Sequence, residues 1–107
     1  MAAKTPIRPL KSTSAAHLAQ RTQADLKARL ARIEGHVRAV RAMLAEGETC
    51  EDLMIQLAAV RAATTQAIAK LFEGHMETCV TSCVRSGRGQ EALGGLKAAL
   101  TTLLRQV

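Results

Sequence analysis

An all-α chain is the reading this sequence supports, and three observations carry it. Ala, Leu, Arg, Lys, Glu and Gln, the residues of strongest helix propensity, dominate the 107 residues. Phe72 is the sole aromatic residue, with no Trp and no Tyr, whereas an all-β sandwich or barrel leans on aromatic and β-branched side chains. Apolar residues also recur at steps of three and four over long stretches, the spacing of one helix face. The length is that of one domain.

The elements follow in order. Residues 1–13 hold Lys4, Arg8 and Lys11, no acid, and both prolines, Pro6 and Pro9. This composition predicts a flexible basic arm ahead of a single all-α domain over 14–107. A first long helix is expected from Ser14, as N-cap, to about Glu46, with Leu26, Leu30, Ile33, Val37, Val40 and Leu44 as its seam and Gly47 as its stop. A second opens on Glu48, Glu51 and Asp52, acids that suit a helix N-terminus, and runs to about Ser86. Its seam is Leu53, Leu57, Val60, Thr64, Ala67 or Ile68, Leu71 and His75, and Gly87-Arg88-Gly89 ends it. A third, shorter helix sets Leu93, Leu96, Leu100, Leu103 and Val107 in register, loosened by Gly94 and Gly95. Two long helices and a short one make a rod roughly 50 Å long at about 1.5 Å per residue. A rod has no core of its own, so two chains are expected to cover each other's seams as an antiparallel four-helix-bundle dimer.

Charge narrows the partners. Lys and Arg number 15 against 9 acids. Residues 1–45 carry nine basic and two acidic residues, whereas residues 46–107 carry six basic and seven acidic. A surplus confined to the first half suits a polyanion, nucleic acid before membrane. No apolar run of about 18 residues is present and the first residues lack a signal-peptide core, which predicts a cytoplasmic protein. Its three cysteines then read as thiols or metal ligands rather than a disulfide framework.

The chemistry-bearing residues are Cys50, His75, Cys79 and Cys83. The last three sit at i, i+4 and i+8, along one ridge of the expected second helix. Cys50 lies 25 residues before His75, roughly 37 Å along one such helix, which is too far to share a site within a chain. If two copies pack antiparallel, Cys50 of one comes opposite His75 and Cys79 of the other, giving two symmetric intersubunit sites. Two thiolates and an imidazole form a soft three-coordinate set that suits Cu(I), or Zn(II) or Ni(II) with a fourth ligand, and excludes hard cations such as Mg or Ca. The bland alternative is buried thiols and a packed histidine on an apolar seam. Cys83 is expected to be core. No carboxylate pair, phosphate loop or Ser/His/Asp set is present, so neither an enzyme nor a small-molecule substrate is expected.

These residues also carry a resemblance. Leu30-Ala-Arg-Ile-Glu-Gly-His-Val-Arg38, then Cys50, then Gln56-Leu-Ala-Ala-Val-Arg61, then Gly74-His75-Met-Glu-Thr-Cys79-Val80 resembles the CsoR/RcnR/FrmR family of small bacterial metal- and stress-sensing repressors over about residues 20–105. The resemblance implies an all-α dimer of the antiparallel type, usually paired into a tetramer, that binds operator DNA when free of metal and releases it when metal is bound. A Cys-His-Cys set at these spacings is similar to that of the copper-sensing CsoR branch, which implies Cys50, His75 and Cys79 as Cu(I) ligands. Copper members often carry a Tyr before the first ligand and a Glu in the third helix, where this chain has Thr49 and Gly95. His17 lies one residue from the place where nickel and cobalt members bring an N-terminal ligand, so a nickel sensor with His17 as accessory donor stays open. His36 stands where relatives usually have Gln and is expected to be a surface polar residue.

Double-stranded DNA is expected to meet the flanks of the long helices, because neither offers the short helix pair and tight turn of a helix-turn-helix. Arg21, Arg29 and Arg32 border one side of the first seam and Lys27, Arg38 and Arg41 the other, and Arg61 resembles a family position that joins this surface. Asp25 and Glu34 are placed to pair with Arg29 and Arg38 at i+4. The alternatives at this level are a thiol sensor of persulfide or aldehyde acting through Cys50 and Cys79, and a copper-buffering helical protein that never meets DNA. Beside its expected place in the core, Cys83 is open as a spare accessory ligand or as a thiol that traps persulfide or disulfide chemistry with Cys79.

Overall fold

The computed structural model describes residues 14–106. Among them every regular element is helical, with no strand. A 3-10 turn at Ala15–His17 precedes α1 (Gln20–Ala45) and α2 (Cys50–Gly74); a π-helical turn follows at His75–Val80, then α3 (Thr81–Arg85) and α4 (Gly89–Gln106). The basic arm expected over residues 1–13 lies outside the described residues, as does Val107. No helix among the described residues is long and apolar enough to cross a membrane.

Two of the expected boundaries move. Ser14 caps the 3-10 turn instead of the first long helix, its hydroxyl accepting from the Ala16 N–H at 3.2 Å. Leu18 and Ala19 are extended (ψ 147° and 143°), and α1 starts only at Gln20 with no side-chain cap. The break places Leu18 at 5% exposure, where a continuous helix would have run through it. The second helix is likewise not one α-helix to Ser86. Thr78 Oγ1 donates to the Gly74 carbonyl at 2.8 Å, and Thr81 Oγ1 to the Met76 carbonyl, five residues back, at 3.2 Å. Hydroxyls that compete for helix carbonyls favour such a widened turn.

Both expected glycine stops hold. Gly47 and Gly87 each adopt φ 77°, the left-handed conformation that costs a side chain dearly and glycine nothing. In each case the next residue closes the helix from five positions on. Glu48 N–H donates to the Met43 carbonyl at 3.1 Å and Arg88 N–H to the Cys83 carbonyl at 2.7 Å, as in the Schellman C-cap.

The residues fall into two compact units, one of 19–73 and one of 14–18 with 74–106. In the first, α1 and α2 run antiparallel: Arg29 bonds Gln66 and His36 bonds Gln56, so partners fall in α2 as they rise in α1. The α1 stripe is divided along its length. Leu26, Ile33 and Val40, seven apart, are partly or fully covered, whereas Leu30, Val37 and Leu44, also seven apart, are 55%, 48% and 65% exposed. On α2 the shielded positions are Leu53, Gln56, Val60, Ala63 and Ala67, while Leu57, Ile68 and Leu71 of the expected seam stay exposed. The inward line of α2 thus mixes Leu53 and Val60 with a glutamine and two alanines, while several of its larger side chains, Leu57, Ile68 and Leu71 among them, face out.

The second unit packs the 3-10 turn on the π turn and α3 on α4. Its buried residues are Leu18, Gly74, Cys79, Cys83 and Ala92. The helix of α4 runs through Gly94 and Gly95 without a break, and open space lies where a Cβ at either would stand.

Candidate metal centre and nucleic-acid surface

Cys50 is the first residue of α2 and is exposed. Thr49, immediately before it, is the helix cap: its hydroxyl accepts from the Asp52 N–H at 3.1 Å, and its carbonyl from the Leu53 N–H at 3.1 Å. Thr49 therefore fixes where α2 begins, and with it the position of the thiol.

His75 and Cys79 are both on the π turn. His75 is half-buried, and Cys79 is 1% exposed. The Cys79 thiol donates to the Ser14 carbonyl at 3.6 Å, and its Sγ lies 3.7 Å from Thr78 Oγ1. Cys83 is 0% exposed on α3, the position expected of a core residue, and none of the three cysteines is in a disulfide. His17, in the 3-10 turn, is exposed. Among the described residues no three His, Cys, Asp or Glu side chains of this single chain gather closely enough to hold a metal ion. Sequence reasoning missed Thr78 and the Ser14 carbonyl, because a backbone acceptor and a hydroxyl beside a thiol leave no spacing signal.

The cations proposed for DNA all belong to α1 and α2. Arg21, Lys27, Arg32, Arg38, Arg41 and Arg61 are exposed. Arg29 is not: its Nε donates to Asp25 Oδ2 at 2.8 Å and its Nη1 to Gln66 Oε1 at 3.5 Å, so it ties the helices together. The Asp25–Arg29 pair is the expected one, whereas among the described residues Glu34 and Arg38 form no ion pair. His36 departs from its expected surface role, half-buried with its Nε2–H directed at Gln56 Oε1, 2.7 Å away. Arg29, Arg32, Ile33, His36, Ala63 and Gln66 line an open cleft of about 340 Å³ between the two helices.

Among the described residues the chain is helical without a strand and carries two thiols, an imidazole and a cationic helix face, the parts that a metal-responsive DNA-binding regulator requires. The chain belongs to the family described as "Metal-sensitive transcriptional repressor", whose model matches residues 22–104. It is 34% identical over 80 residues to the copper-sensing transcriptional repressor CsoR of Bacillus subtilis, a match covering 75% of this chain and 79% of that protein. To the copper-sensing transcriptional repressor RicR of Mycobacterium tuberculosis it is 34% identical over 94 residues, covering 88% and 97%. Its fold is similar to the crystal structure of the copper-sensing repressor CsoR with Cu(I) from Geobacillus thermodenitrificans, with a TM-score of 0.76, 28% identity, and 92% and 94% of the two chains covered. This is a family of transcriptional repressors rather than enzymes, and its partner is DNA.

Proposed function

We propose that this chain represses transcription in response to copper. Free of metal, an assembly of several copies holds operator DNA, and it lets go when Cu(I) is held by Cys50 of one copy with His75 and Cys79 of another. The observation that carries the reading is the donor set itself, divided between the first turn of α2 and the π turn, in a chain whose relatives include repressors that sense copper.

The residues fit the ion. Thiolate sulfur and imidazole nitrogen are the soft and borderline donors that suit Cu(I), and three of them complete its set, whereas Zn(II) and Ni(II) ask for a fourth. Bound there, the ion supplies a link between two copies. What the chain contributes is position: Thr49 fixes the start of α2 and hence Cys50, and the π turn carries both half-buried His75 and buried Cys79. A ligand at such a joint biases how the copies pack only by its different affinity for the two arrangements, about 1–3 kcal/mol per site, which suffices for a switch.

The pairing of copies is supported by Leu30, Val37, Leu44, Leu57, Ile68 and Leu71, which one chain leaves exposed along its two long helices. A dimer, and a dimer of dimers, would cover them. DNA would meet Arg21, Lys27, Arg32, Arg38, Arg41 and Arg61, with Arg29 holding the surface in shape. The protein would work in the cytoplasm, beside the genes it controls. Near-complete burial of Cys79 and Cys83 weighs against a thiol sensor that reacts at those sulfurs directly.

The test is release of promoter DNA from the reduced protein during titration with Cu(I), Ni(II) and Zn(II). Cu(I) is expected to release it in the wild type, and Cys50→Ala is expected to keep its DNA affinity while losing that release. Undiminished release in Cys50→Ala overturns the site, and release by Ni(II) but not Cu(I) overturns the copper assignment.

A further inference from the structure

Part of what hides the Cys79 sulfur is the protein's own N-terminal segment. The 3-10 turn at Ala15–His17 packs on the π turn that carries Cys79. The Ser14 carbonyl accepts both the Cys79 thiol at 3.6 Å and the His17 N–H at 2.9 Å. Leu18 anchors the far end at 5% exposure. We propose that Ser14–Leu18 is a strap: it closes over the ligand thiol Cys79 in the metal-free protein and is displaced when that sulfur is ligated. The inference rests on the metal-site reading given above and adds a regulatory step to it.

The chemistry of ligation supplies the reason for opening. In the closed state the Cys79 S–H bond points its hydrogen at the Ser14 oxygen. Ligation breaks the S–H bond and forms a sulfur–metal bond, and the proton passes to water or a buffer base, with no change of oxidation state. The sulfur then has no hydrogen to donate, and Ser14 keeps only its bond from His17. The approaching ion also needs the space the strap fills, because the sulfur is almost completely covered.

The strap is built to let go at modest cost. It is a single 3-10 turn of three residues, with the Ala16 N–H donating to the Ser14 hydroxyl and the His17 and Leu18 N–H groups to the Ser14 and Ala15 carbonyls. Leu18 and Ala19 are extended, and α1 begins after them without a side-chain cap. Such a segment belongs to the least stable part of a fold, the part that opens locally while the rest stays intact.

The test uses the full-length, reduced, metal-free protein. Iodoacetamide is added and alkylation of Cys50, Cys79 and Cys83 is followed separately by mass spectrometry. Leu18→Ala removes the buried anchor, and Ala16→Pro removes the N–H that caps the turn and disfavours its geometry. Each is expected to raise the Cys79 rate about tenfold relative to Cys50, with Cys83 unchanged, because only the strap has opened. A Cys79 rate that stays at the wild-type value, or Cys79 and Cys83 accelerating together, overturns the strap. Displacement is read in the wild type by hydrogen exchange of the His17 and Leu18 amides, which are bonded to Ser14 and Ala15 in the closed form. Stoichiometric Cu(I) is expected to speed their exchange. Unchanged exchange, with copper uptake verified by thiolate charge-transfer absorbance, overturns the displacement. A protein that takes up no Cu(I) overturns the copper reading instead, and the alkylation ratio alone then decides whether the thiol is strapped.

Discussion

Cys79 and Cys83 are one helical turn apart and equally hidden, yet they stand in different surroundings. Cys79 touches a carbonyl from the N-terminal segment and a neighbouring hydroxyl, whereas Cys83 is fully buried on α3, in the part of the chain that packs against α4. The difference predicts different losses. Cys83→Ala removes one heavy atom from a filled site and is expected to cost about 1 kcal/mol of stability, as other small core truncations do, while leaving copper-driven DNA release intact. Denaturant melts at fixed protein concentration, with the release titration beside them, check this; lost release at unchanged stability would make Cys83 a ligand. The candidate donors could be named from the sequence, because thiols and an imidazole announce their chemistry by residue type. The neighbours of Cys79 were not, since a backbone oxygen from 65 residues away has no residue type to announce it. His36 was misjudged for a related reason: its partner Gln56 is polar, so the pair looked like surface in each helix taken alone.

Helix ends were the most readable features at the level of elements, and helix interiors the least. Gly47 and Gly87 stop their helices because a left-handed residue is needed there, a demand glycine meets without strain. Gly94 and Gly95 lie inside α4 with open space around them, where glycine only adds backbone entropy to the unfolded chain. Opposite signs follow for the same substitution. Gly47→Ala is expected to destabilise by about 1–2 kcal/mol, the cost of a left-handed L-residue, and Gly94→Ala to stabilise by about 0.5–1 kcal/mol. Thermal or denaturant melts of the two variants at equal concentration decide it, and a shared sign would refute the assignment of one of them. The π turn escaped the periodicity argument, because Thr78 and Thr81 look like ordinary helix residues until their hydroxyls find the carbonyls of Gly74 and Met76. The α2 seam escaped in part as well. Apolar residues occupy both its covered and its exposed lines, and a stripe wide enough for two partners does not say which line meets α1.

A molecule that leaves large apolar side chains exposed along two long helices and gathers its cations on those same helices is suited to assemble and to meet a polyanion with the assembled surface. The two properties were readable together from composition: surplus charge in the first half, and seams longer than one chain can cover. The proposed assembly would multiply each exposed cation by the number of copies, so DNA affinity should be steep in salt. For a duplex, the logarithm of affinity falls against the logarithm of salt by about 0.9 for every phosphate neutralised. Arg32→Ala and Arg41→Ala, both at exposed positions, are therefore expected to weaken operator and unrelated duplex DNA alike. Each should lower that slope by about 0.9 for every copy in contact. Arg29→Ala should behave otherwise. Its guanidinium is already engaged by Asp25 and Gln66, so its removal loosens the α1–α2 pair and lowers stability, with less effect on the slope. Fluorescence anisotropy of labelled duplexes across a salt series, with melts of the same proteins, separates the two behaviours. Slopes unchanged in Arg32→Ala and Arg41→Ala would move the DNA surface off α1, and the charge asymmetry of the chain would then need another polyanion to explain it.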